Sequence, residues 1–163
     1  MSGSLPIGMT IAAVVVLLDQ LTKWLALTRL MDDIIVILPN YFDLVLVHNV
    51  GAAFGLFTSW PPLFRDLFLA TVAVFAVAFI IRMLMEGPRL WVVWGYGLVL
   101  GGALGNLWDR FQLGSVVDFI HLHWHDLSWP VFNIADSAIT VGVGMLLWDA
   151  FVNEKAPSKR EAL

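Results

Sequence analysis

Hydrophobic positions in this chain fall in four long blocks, without the narrow stripes that mark helices and strands of a soluble fold. The blocks run from about Ile7 to Leu27, Leu67 to Met85, Trp91 to Leu107 and Asn133 to Phe151. Because roughly 20 residues rising about 1.5 Å each cross a hydrocarbon core about 30 Å thick, each block predicts a membrane-spanning helix. Between the first two blocks the stretch "DDIIVILPNYFDLVLVHNVGAAFG" changes character. Its β-branched residues, interrupted by Pro39 and Asn40, predict two short strands joined by a turn. The stretch "GSVVDFIHLHWHDLSW" has the same bias and predicts a third strand. The expected fold class is a mainly α membrane protein, four transmembrane helices with a small outward-facing β-sheet built from loops at about 31–55 and 112–132. An isolated hairpin is marginal in water, so such a sheet must rest on helix ends and lipid headgroups. Too little chain remains for a second domain, and residues 1–163 are read as one.

Composition removes the soluble alternative: of 163 residues 60% are hydrophobic and 13% charged, and the mean hydropathy is +0.83. Cysteine is absent, which excludes disulfides, thiol catalysis and thiolate metal sites together. A net charge of -4 with no long basic run argues against nucleic acid as a partner. The opening "MSGSLPIGMT" has no Lys or Arg and no A-x-A site follows the apolar run, so the first span is read as uncleaved.

Charge also sets the orientation, since Lys and Arg collect in short cytoplasmic segments. Arg82 and Arg89 lie in "RMLMEGPRLW", and Lys155, Lys159 and Arg160 in the tail, which predicts both termini in the cytoplasm. The other two loops then face outward. They are acidic, with Asp32, Asp33, Asp43, Asp66, Asp109, Asp118 and Asp126 against Arg29, Arg65 and Arg110. Trp24, Trp60, Trp91, Trp108, Trp129 and Trp148 fall near predicted span ends, as interfacial anchors do. Gly97, Gly101 and Gly105 recur every fourth residue of the third span, a ridge that admits a neighbouring helix closely.

Several charges are costly where they stand, because an Asp or Lys at the centre of a span costs about 2.5 to 3.5 kcal/mol on insertion scales. Asp19 and Lys23 sit one turn apart on the first span and can pair. The pair is either a structural ion pair or a support that orients a polar site. Asn106, Asp109 and Arg110 cluster at the end of the third span. Asp136 follows Asn133 by three residues at the start of the fourth span, a place where the helix dipole favours an acid. Asp118 taken alone would be a strand residue. Asp118 and Asp136 taken together are different, because the 17 residues between them are enough to fold back. Two carboxylates brought close share a proton, one acting as base and the other as acid, and can drive water onto a peptide carbonyl without a metal. His121, His123 and His125 alternate along the third predicted strand. Imidazole is a common zinc ligand, so a zinc site is the alternative, but with no H-E-x-x-H helix in the chain they are read as an exposed or headgroup-facing row and no metal is assigned.

The fragments "DQLTKW", "HNVGAAFG", "GGALGNLWDR" with "GSVVDFI", and "FNIADSAI" occur in an order and at span ends that resemble the lipoprotein signal peptidases, the bacterial type II signal peptidases. The resemblance covers nearly the whole chain. It implies an aspartic membrane endopeptidase that removes the signal peptide from diacylglyceryl-modified prolipoproteins just before the lipidated cysteine. It also implies Asp118 and Asp136 as the catalytic pair, with Asn49, Gly51, Asn106, Arg110 and Asn133 in the polar site and Asp19 and Lys23 in support. No cofactor is implied. The implied setting is the bacterial cytoplasmic (inner) membrane with the site at its outer face, the partners being substrate and membrane lipids, and the chain is read as a monomer. Two rival classes remain: a small ion-coupled transporter, which an inverted repeat would support, and an assembly scaffold built on the glycine ridge. No inverted repeat is visible, since spans one and two differ from spans three and four in motif and charge.

Overall fold

A computed structural model describes residues 3–31, 33–51, 56–125 and 127–154. Asp32, Asp126, the "AAFG" fragment at 52–55 and the tail with Lys155, Lys159 and Arg160 lie outside the described residues. Four helices have the length and apolarity to cross a membrane: α1 (Ser4–Arg29), α2 (Pro62–Met85), α3 (Leu90–Leu113) and α4 (Ile134–Glu154). Four strands stand between them, β1 (Ile35–Leu38), β2 (Phe42–Asn49), β3 (Val116–Trp124) and β4 (Leu127–Ser128), in one antiparallel sheet of order β1-β2-β3-β4.

The expected mixture of spans and sheet is therefore present, with differences in the strand count and at the span ends. The second β-rich stretch supplies two strands, because β3 turns at His125, whose φ is 53°, and pairs with the short β4. The third helix also runs six residues past its expected end at Leu107. Its polar last turns stay helical because Asn106, Asp109 and Arg110 all find partners, and Gly114 ends it with a φ of 70°. Asp109 and Arg110, expected in an outer loop, are therefore helical, and so are Arg65 and Asp66, because α2 begins at Pro62 ahead of the expected Leu67, and Arg29, the last residue of α1.

Close approach between helices sets the packing. A Cβ on Gly101 would fall 2.6 Å from Val15 Cβ, and one on Gly102 would fall 2.4 Å from the Ala135 carbonyl oxygen. Adjacent faces of α3 thus meet α1 and α4 backbone to backbone, and the predicted ridge is the α1 contact. Ala12, Ile80, Leu84, Val93 and Leu100 form the apolar centre of the bundle. A second cluster, Ala26, Leu30 and Phe119, seats the sheet on the end of α1. The six tryptophans expected at span ends are all exposed.

One irregularity in the sheet has chemical consequences. In the β2 and β3 ladder Asp43 is opposite His121 and Leu44 opposite Ile120, yet Val47 is opposite Asp118, so β2 carries an extra residue. A one-residue bulge exchanges the faces to which the following side chains point. Asn49 consequently shares a face with Asp118, whereas Asp43 shares the opposite face with His121.

Candidate active site

The helix that carries Asp136 begins with a reciprocal cap. The Asp136 N–H donates to Asn133 Oδ1 at 2.9 Å, and the Asn133 N–H donates back to Asp136 Oδ2 at 3.3 Å. This is a capping box with Asp in the third helical position, and it fixes the Asp136 carboxylate over the start of α4. The Asn133 amide is then committed in the other direction, donating from Nδ2 to Asp118 Oδ1 at 2.7 Å. One buried asparagine therefore holds both carboxylates. Asp118 is 1% exposed, and its second oxygen accepts from Asn49 Nδ2 at 3.0 Å. Asn49 Oδ1 accepts the Gly51 N–H at 3.0 Å, which turns the chain after β2 and leaves the amide nitrogen for Asp118.

Behind this pair lies a buried ionic network. Lys23 is 2% exposed and uses all three ammonium protons, on Asp19 Oδ2 and Asp109 Oδ2 at 2.8 Å each and on Asn106 Oδ1 at 2.9 Å. An ammonium donates only, so Asn106 must turn its oxygen to Lys23 and its nitrogen outward. That nitrogen donates to Asp136 Oδ1 at 2.8 Å. Asp109 also accepts the Val117 N–H at 3.1 Å, which ties β3 to α3 one residue before Asp118. Asp19 Oδ1 accepts the Ala135 N–H at 2.9 Å, an otherwise unpaired donor at the start of α4. Arg110 reaches the Gly51 carbonyl oxygen at 2.8 Å and so braces the segment that follows Asn49. No buried side-chain nitrogen or oxygen among the described residues lacks a partner.

Asn49, Asn106, Arg110, Asp118 and Asp136 line one cleft of about 780 Å³ between the sheet and the ends of α3 and α4. Asp19, Lys23, Gly51 and Asn133 are not among the residues that line it. The remainder of the lining is largely apolar, including Val47, Val116, Val131, Phe132 and Ile139. Burial pushes the Asp118 carboxyl up to about 6; the neighbouring Asp136 charge adds to the rise, and the amides of Asn49 and Asn133 oppose it. The arrangement thus offers two carboxyl groups in different surroundings beside an apolar channel.

Sequence reasoning assigned no role to Gln20 or Asp109. Gln20 Nε2 donates to Asp109 Oδ1 at 2.8 Å, completing the shell around Lys23. The only available signal was the position of Asp109 three residues after Asn106, which places both on neighbouring turns of α3. Among the described residues, the one trio of His and carboxylate groups close enough to hold a metal is Asp43, His121 and His123, apart from Asp118 and Asp136.

Fold and cleft define a multi-pass membrane protein with a polar site where its helix bundle meets its sheet. Comparison with known proteins makes this specific. A family model described as signal peptidase (SPase) II matches residues 11–152. The chain is 47% identical over 141 residues to a lipoprotein signal peptidase of Syntrophotalea carbinolica, covering 84% of this chain and 86% of that protein. It is 44% identical over 147 residues to that of Symbiobacterium thermophilum, covering 86% and 91%. A solved bacterial membrane enzyme, determined by the in meso method at 2.3 Å, superposes with a TM-score of 0.82 at 28% identity over 93% of this chain and 92% of the other. The chain belongs to the signal peptidase II family, and with it to the membrane peptidases.

Proposed function

We propose that this chain is an aspartic endopeptidase that releases the signal peptide from diacylglyceryl-modified prolipoproteins, cutting just before the lipidated cysteine. The relatives named lipoprotein signal peptidase support the substrate class. The observation that carries the catalytic assignment is Asn133, which binds Asp118 through its amide and Asp136 through its cap in one cleft.

In this reading Asp118, whose buried carboxyl is raised to about 6, holds the shared proton. Asp136 acts as the base at the start of α4, where its Oδ1 accepts from the Asn106 amide. Asp136 takes a proton from water as the water oxygen attacks the scissile carbonyl, and the Asp118 hydroxyl donates to the developing oxyanion. The tetrahedral intermediate then breaks its C–N bond while Asp136 returns the proton to the leaving amine. As the carbonyl reforms, the intermediate's hydroxyl proton passes back to Asp118, so the carboxyl product departs and the pair again holds one shared proton. No cofactor takes part.

The apolar lining of Val116, Val131, Phe132 and Ile139 accepts the signal-peptide residues flanking the bond, and the acyl chains remain in lipid. The distribution of Arg82 and Arg89 supports both termini in the cytoplasm and the cleft at the outer face. The site residues named here all come from one chain, which supports a monomer.

The test is to incubate the purified protein in detergent with a prolipoprotein bearing the diacylglyceryl group and with the same polypeptide lacking it. The expected result is release of the signal peptide from the lipidated form alone, with cysteine as the new first residue. Equal cleavage of both forms, or a cut elsewhere, would refute the assignment.

A further inference from the structure

The cleft leaves the histidine row unused, and the sheet register shows what it faces. His121 is directly opposite Asp43, and His123 lies two residues further along the same face of β3. The two imidazoles stack with centroids 4.8 Å apart and 16° between planes. His123 Nε2 is 2.9 Å from Asp43 Oδ2, and His121 Nδ1 is 3.8 Å from the same oxygen. All three ligand atoms lie within 4.8 Å of one another.

We propose that Asp43, His121 and His123 form a binding site for a borderline divalent cation such as Zn²⁺, with two imidazole nitrogens, one carboxylate oxygen and a fourth position left for water. Bonds of about 2.0 Å at tetrahedral angles separate neighbouring ligand atoms by about 3.3 Å. The two distances to Asp43 Oδ2, 2.9 and 3.8 Å, straddle that value, so small side-chain rotations accommodate the ion. His121 Nε2 is 2.8 Å from Ser128 Oγ, and a proton donated there leaves the lone pair on Nδ1, the nitrogen facing Asp43. Metal-binding histidines are oriented in this way by a partner on their other nitrogen. The side chains are only 16% to 24% exposed, so the ligands are held by the sheet. Two nitrogens and one oxygen suit zinc better than magnesium or calcium, which take oxygen ligands.

The site is separate from the cleft. Alternation along β3 points His121 and His123 away from the face of Asp118, and the β2 bulge keeps Asp43 away from Asn49. A bound ion would join β2 to β3 and, through Ser128, to β4, holding the sheet that walls the cleft.

The test uses the tag-free full-length protein in detergent, titrated with Zn²⁺ by calorimetry and with Co²⁺ by visible absorption. One ion per chain is expected, with the intense bands of four-coordinate Co²⁺. His121→Ala and His123→Ala should each weaken binding by more than about 10-fold, while Asp118→Asn leaves it unchanged. Unfolding temperatures of the variants without metal establish that they fold, and Asp43→Asn supplies a nearly isosteric variant expected to weaken binding as well. Failure of the wild-type protein to bind either ion, or equal binding by the two histidine variants and wild type, would overturn the proposal.

Discussion

Asp19 Oδ1 accepts the backbone N–H of Ala135 at 2.9 Å, so a carboxylate of the first span caps the helix that carries Asp136. Its other oxygen pairs with Lys23, which in turn holds Asp109 and orients Asn106. Removing Lys23 leaves two buried carboxylates without their cation, and losing one partner of a buried pair costs roughly 3–5 kcal/mol. Lys23→Met should therefore lower the unfolding temperature in detergent sharply and reduce cleavage, while Arg82→Met, whose ion pair with Glu86 is exposed, should leave both near wild type. Equal melting of the two variants would contradict the role given to Lys23.

Space at Gly105 is reserved for the same carboxylate. A Cβ there would fall 2.5 Å from Asp19 Oδ2, whereas one at Gly144 meets nothing within 4 Å. Gly105→Ala should cost about 1–3 kcal/mol through overpacking and slow turnover by moving Asp19 off α4. Gly144→Ala should be neutral in both respects. Thermal unfolding and a cleavage assay of the two variants in parallel distinguish a reserved site from general helix packing.

Protonation of Asp118 makes the pH profile informative. Its carboxyl is raised to about 6, so the acid form is present below that value and is lost as pH rises through it. The basic limb of kcat/KM, which reports the free enzyme, should fall near pH 6. A substrate that fills the cleft excludes more water and should move the basic limb of kcat to higher pH. Asn49→Leu removes a hydrogen bond that favours the carboxylate, so it should move the kcat/KM limb upward as well. A basic limb that Asn49→Leu leaves in place would show that another group carries the proton.

Orientation can be read chemically, because the chain has no cysteine. In intact cells Tyr41→Cys, at the exposed β1 and β2 turn, should react with a membrane-impermeant maleimide applied outside. Glu86→Cys, between α2 and α3, should react only after the membrane is opened. The reverse pattern would invert the topology.

Much of this architecture was legible in the residue order. Four apolar blocks and the Pro39 and Asn40 turn suffice for the spans and the first hairpin, since length and local backbone preference govern both. The carboxylates at 118 and 136 stood out because charge is expensive at those places. Other features depend on relations between distant residues. Asp109 looked like a loop acid because its partner Lys23 lies 86 positions earlier, and α3 looked shorter because its polar end is stabilised only by tertiary contacts. The Asp43, His121 and His123 trio was hidden for a similar reason: spacing shows the two histidines, but only the register of β2 on β3 brings Asp43 to them.

The central claim is that Asp118 and Asp136 act as one water-activating pair. Its most direct test is the single-turnover rate of signal-peptide release by Asp118→Asn and by Asp136→Asn, beside Asp33→Asn, an exposed acid, as control. Melting curves should confirm that each variant is folded. Each site variant should lose release entirely, and the control should match wild type. Wild-type release by either folded site variant would contradict the account.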